Sequence, residues 1–259
     1  MGYCNRYQAR PIQPVTPESE LYENTPPSSY DLNSFLPVPE APLETKLLRL
    51  EPLIPSLHAD ALSDAFMAKT DDPDDVWYYP YPEGKPYKRK VDTLMYIEKQ
   101  RRRVNILSFA AIDKVTNKMA GVVALGCDPL YATLDVKMMG MKIFPEFRGK
   151  HIFKHACFLL LSYALSPIKE GGLGVVRVGW RTPPENVRSQ KAAEKIGFKR
   201  EGIMRCYEVK DFDPHSNYPN EAENIINDGT NRATEDGVVF SMTVHDWLGS
   251  EKAELERRL

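Results

Sequence analysis

From about Lys150 to Ala164 the chain reads KHIFKHACFLLLSYA, apolar on nearly every face of a helix. A helix without a polar stripe must be covered all round. Its uncharged stretch, ACFLLLSYAL, is about half of the ~20 residues a membrane span needs, so protein must do the covering. The chain has 259 residues, enough to build a sizeable core around such a helix. The residues just before it, FPEFRGKH, put a glycine among three basic side chains at the helix start. A helix N-terminus presents unpaired N–H groups and a partial positive charge, so this turn suits an anion, most naturally a phosphate or pyrophosphate.

The formal net charge of -2 supplies no field to steer a nucleic acid, and no segment reads as membrane-spanning or as a secretory leader. Met1-Gly2 is followed by Arg6 where a myristoylation site needs Ser or Thr. Cys4, Cys127, Cys157 and Cys206 form no CxxC pair, and no His cluster sits at metal-ligand spacing. A reduced, cytoplasmic protein without a metal is expected.

Residues 1–43 hold eight of the 21 prolines and read as an extended or disordered arm. Beyond it the pattern predicts strands at 45–53, 106–112, 119–127, 133–144, 174–180, 198–209 and 237–247. Helices are predicted over 56–70, with Ser56 as N-cap, over 88–103, from about 150 to 164, and over 184–196 with Gly197 as its C-terminal stop. Residues 211–236 read as a loop insertion and 249–259 as a charged tail. The expected fold is α/β, a single domain over 44–248. Its sheet is mixed and mostly antiparallel, with seven strands and about four helices, and a helical crossover makes strands 4 and 5 parallel.

The stretch RTPPENVRSQKAAEKIGFKREG carries Asn186, Ser189 and the run Glu194-Lys195-Ile196-Gly197-Phe198. An anion-binding strand-to-helix turn about 35 residues before such an N-x-x-S helix resembles the GNAT superfamily of acyl-CoA-dependent N-acetyltransferases. Within it the sequence looks most like the branch of the ribosomal-protein alanine acetyltransferases and its fungal members. The superfamily turn, Q/R-x-x-G-x-G/A, stands here as Glu146-Phe147-Arg148-Gly149-Lys150-His151, with only Gly149 kept.

The resemblance implies acetyl-CoA as co-substrate. Its diphosphate would lie on the backbone of Arg148, Gly149, Lys150, His151, Ile152 and Phe153, with His151 a further donor to phosphate. The pantetheine arm would pair with Met141 and Ile143 where strand 4 splays from strand 5, and would meet Asn186, with Ser189 near the thioester sulfur. Asn186 also reads as a helix cap, and Thr182-Pro183-Pro184-Glu185 as a capping box. Many members use a Tyr seven residues after the helix Asn as acid; Ala193 stands there, and Ser189 is the implied substitute. The relatives' strand Glu falls on Lys137, so Asp135, on the same strand face, is the candidate base.

Trp77, Tyr79 and Tyr81 resemble an aromatic segment that walls the acceptor pocket, although plain loop packing accounts for them equally well. The expected acceptor is a small-molecule primary amine. Protein N-termini or lysines are the alternative, and a non-catalytic CoA-binding interaction module is the alternative of another class. The protein is expected as a monomer or homodimer.

Overall fold

The computed structural model describes residues 18–68, 87–127, 135–211, 226 and 232–259. Among the described residues eight strands form one sheet in the order β1-β2-β3-β4-β5-β6-β8-β7. They are β1 (Leu43–Glu44), β2 (Leu48–Pro52), β3 (Ile106–Asp113), β4 (Lys118–Cys127), β5 (Asp135–Ile143), β6 (Arg177–Thr182), β7 (Lys199–Asp211) and β8 (Arg232–Thr243). Six α-helical segments accompany them among the described residues: α1 (Pro55–Met67), α2 (Lys90–Arg101), α3 (Ile152–Leu165), α4 (Val187–Ile196), the single turn α5 (Val244–Asp246) and α6 (Lys252–Arg257).

All pairings are antiparallel except β5 with β6. The expected count of seven strands is corrected to eight. The extra strand is β1, two residues long and paired with β2, too short to show any alternation. The loop read over 211–236 is also corrected: Asp211 pairs with Arg232, so β8 starts five residues before Gly237. The polar run 249–259, read as a tail, is helical from Lys252 and anchors Leu255 in the core.

α3 is the covered helix its composition requires. Ile152, Ala156, Cys157, Leu160, Leu161 and Ala164 are fully buried, each large side chain contributing about 1.5–3 kcal/mol of transfer free energy. Burial also pushes the Cys157 thiol up, so it packs as an inert apolar group. Ile54 rather than Ser56 caps α1, because Pro55, pre-set in φ and without an N–H, occupies the first helical position.

Residues 18–43 lie on the domain. Leu21, Tyr30 and Leu36 are buried, the Tyr163 hydroxyl donates to the Pro37 carbonyl, and the Arg101 guanidinium stacks over the Tyr22 ring. Up to Pro42 the prolines keep this segment out of the sheet's ladders but not from an apolar foothold; Leu43 already pairs in β1.

Two features of β5 place the site. Gly140 takes φ +60°, and a register shift on β4 between Val122 and Ala124 marks the bulge opposite it. Among the described residues the parallel pairing with β6 covers only Asp135↔Arg177, Val136↔Val178 and Lys137↔Gly179. From Met138 onward β5 leaves β6, which continues along β8 to Thr182.

Candidate active site

The part of β5 that has left β6 borders an open cleft of about 1100 Å³, whose lining does not include Asp135, Asn186 or Ser189. Met141, Ile143, Phe147, Gly149 and Phe153 line one wall, and Arg188, Lys191, Ala192 and Lys195 of α4 the other. At the cleft's head the chain leaves β5 through a 3₁₀ turn, Pro145–Phe147, and enters α3. Gly149 holds φ +72°, a left-handed conformation that a side chain would strain, and a Cβ built there would meet nothing within 4 Å. No side chain caps α3. Its first-turn N–H groups therefore stand at the cleft, with Arg148, Lys150, His151 and Lys154 around them.

Among the described residues lining the cleft there are eight basic side chains and no carboxylate. The diphosphate of acetyl-CoA fits this lining by charge, by donor supply and by the absence of a Cβ at Gly149.

His151 is held from behind. Its Nε2 lies 3.0 Å from Oδ1 of Asp113, a buried carboxylate at the end of β3. Asp113 also accepts from the backbone N–H groups of Val115 and Thr116 and from the Thr116 hydroxyl. These bonds hold its carboxyl below the usual range, against the opposing effect of burial. The ring is thus fixed to β3, and the backbone of His151 remains at the turn.

Asn186 is the N-cap of α4: its Oδ1 accepts the Ser189 N–H at 3.0 Å. That bond displaces the capping box read at Thr182–Glu185, since Thr182 ends β6 and the helix begins only at Val187. The cap consumes Asn186 Oδ1, and the side-chain amide's donors are not part of it. Ser189 accepts the Trp180 indole N–H at 3.0 Å. Accepting there leaves the hydroxyl's own proton to be donated elsewhere. Trp180 in turn packs edge-on against Phe153 of α3 and Phe198.

Asp135 stands at the closed end of the gap. Its Oδ1 is 3.7 Å from where a Cβ on Gly179 would sit and 3.6 Å from Arg177 Nε. Alternation along β6 turns Gly179 and Trp180 to opposite faces, so Asp135 and Ser189 flank the sheet from opposite sides. Burial raises the Asp135 carboxyl, an effect that nearby Arg177 and Lys137 only partly offset. Arg177 is claimed more strongly by Glu201, through bonds of 2.6 and 2.7 Å. Lys137 shares the face of Asp135, with its Cγ against Gly179.

The reading of residues alone missed Lys142. It lies between Met141 and Ile143, with Nζ 5.2 Å from the Tyr96 ring centroid and 5.9 Å from that of Phe66. Burial lowers its ammonium to about 8. Only the bulge at Gly140 turns it toward α1 and α2, and strict alternation conceals that. The α4 row of Arg188, Lys191 and Lys195 was also missed, though its i, i+3, i+7 spacing is in the sequence. Trp77, Tyr79 and Tyr81 lie outside the described residues.

A sequence model of the acetyltransferase (GNAT) domain matches residues 48–199, more than half of the chain. The chain belongs to this family and is an N-acetyltransferase using acetyl-CoA. Its structure is similar to that of a GCN5-related N-acetyltransferase from Brucella melitensis, with TM-score 0.65 and 25% identity over 85% of this chain and 86% of that one. It is also similar in fold to an acetyltransferase (GNAT family) from Bacillus anthracis, with TM-score 0.54 and 18% identity over 79% of this chain and 99% of that one. A third likeness in fold is to the microcin C7 self immunity acetyltransferase MccE, solved with acetyl-CoA and AMP. There the TM-score is 0.53 and the identity 18%, over 77% of this chain and 93% of that one. No curated protein matches the sequence.

Proposed function

We propose that this enzyme acetylates a primary amine of a small molecule by direct attack within a ternary complex. The observation that carries the reading is the parting of β5 from β6 after Lys137, beside a cleft whose lining is cationic. Acetyl-CoA would lay its diphosphate on the turn from Arg148 to Phe153 and its pantetheine arm along Met141 and Ile143. The arm's amides would complete the hydrogen bonding of β5 and reach Asn186. The amine would approach from the face of Asp135.

An amine of ordinary basicity costs about 4–5 kcal/mol to deprotonate at neutral pH. Asp135, through water, would take that proton, and its burial suits it to do so. The amine nitrogen then attacks the thioester carbonyl carbon, the C–S bond breaks, and the nitrogen sheds its second proton to water, while Ser189 Oγ protonates the departing thiolate and is reprotonated from that water. Holding both reactants across the gap supplies much of the rate. The order of Asn186, Ser189, Gly197 and Phe198 supports membership of the branch of ribosomal-protein alanine acetyltransferases.

Purified protein incubated with acetyl-CoA and pooled amines tests the reading by mass spectrometry. One acetyl gained by a small amine, with stoichiometric release of CoA thiol, is the expected result. Acetylation of peptide N-termini or lysines alone would move the acceptor to proteins. Binding of acetyl-CoA without transfer to any amine would overturn catalysis.

A further inference from the structure

The turn before α3 accounts for the diphosphate, but the cleft holds more cation than a diphosphate needs. Arg188, Lys191 and Lys195 recur at helical spacing along the wall formed by α4. Like charges on one helix face repel each other, and no carboxylate among the described residues lines the cleft beside them. Arg258, just beyond α6, joins the row from another element. Its Nη2 donates to the Lys195 carbonyl at 2.9 Å, and its own carbonyl accepts from Lys154 Nζ on α3. The C-terminal segment thereby ties the two walls together and sets a planar guanidinium at the cleft's rim.

Coenzyme A carries a phosphate monoester on its ribose, separate from the diphosphate. A guanidinium flanked by ammonium groups is the donor set that a terminal phosphate dianion takes. We infer that Arg258, with Lys191 and Lys195, forms a subsite for the ribose phosphate monoester and makes the enzyme select the phosphorylated coenzyme. This rests on the coenzyme reading of the cleft. It assigns a discriminating role to residues outside both the turn and the N-x-x-S motif.

Calorimetric titration with coenzyme A and with 3′-dephospho-coenzyme A tests the inference at fixed ionic strength. The wild type is expected to bind the phosphorylated form about tenfold more tightly or better, the scale of a charge-assisted contact. Arg258→Gln should abolish most of that preference while binding the dephosphorylated form as the wild type does. Lys191→Gln, a change at an exposed side chain that leaves the Arg258 anchor intact, should lower the preference severalfold. Equal affinity of the wild type for both ligands, or an undiminished preference in both variants, would overturn the subsite and leave the coenzyme reading standing. Folded wild type that binds neither ligand would sink both.

Discussion

The Trp180 indole donates its N–H to Ser189 Oγ at 3.0 Å, across from the last strand pair that still joins β5 to β6. The bond ties the hydroxyl to β6, and it predicts how the two side chains fail. Ser189→Ala should lower kcat by about a hundredfold or more, the range for a positioned acid, with little change in KM for acetyl-CoA. It also strands the indole N–H, at a stability cost of about 1–3 kcal/mol. Thiol-release kinetics and denaturant unfolding read the two effects separately. An unchanged kcat would remove Ser189 from the chemistry.

Asn186 has two separable jobs, and two substitutions divide them. Asn186→Ala loses the cap on the Ser189 N–H, worth about 0.5–2 kcal/mol of stability. Asn186→Asp keeps a capping oxygen and loses the amide donors. It should keep the wild-type unfolding midpoint while raising KM for acetyl-CoA severalfold. If KM stays put in the aspartate variant, Asn186 is a cap and nothing more.

Burial raises the Asp135 carboxyl, which gives signed expectations for stability and for rate. Its contribution to stability is full below the unfolded value of 3.8 and is lost as pH rises through the higher folded value. Asp135→Asn should therefore match the wild type in acid and exceed its unfolding midpoint at pH 7. The rate moves the other way, because only the ionised carboxylate accepts a proton. The acid limb of kcat/KM should lie above the ordinary carboxylate range in the wild type and vanish, with most of the activity, in the variant. Survival of that limb in Asp135→Asn would assign the base to another group.

Asp246 behaves oppositely. Bonds from Lys199 and Thr243 lower its carboxyl from 3.8 to about 2. Its contribution is present above pH 3.8 and is lost as the pH falls through about 2. Thermal unfolding between those values should show the wild type losing stability that Asp246→Asn never had, so the two melting curves converge toward the lower pH. Because Lys199 is largely exposed, added salt should narrow the difference at neutral pH.

The order of helices and strands was legible because each long element buries one face or all of itself, and burial writes its period into the sequence. α3 is the plainest case. Elements without that constraint were not legible: β1 spans two residues, and the first five residues of β8 form an outlying ladder with β7. Gly149 and Asn186 could be singled out because their roles are local, one a backbone conformation and the other a cap. The partner of His151 was hidden, since Asp113 lies 38 residues earlier and meets it only once the sheet forms. Arg258 stayed invisible for the same reason, reaching Lys195 from 63 residues away. The parting of β5 and β6 came from likeness to a family, as nothing in the periodicity of either strand marks where their pairing stops.

Among the described residues, three residue pairs are all that join β1 through β5 to β6, β8 and β7 in the sheet. The sheet is thus two half-sheets fastened at one corner, with edges in its interior where most proteins have only a rim. A coenzyme threaded through the opening would act as the missing seam, so tight binding and resistance to heat become one property of the molecule.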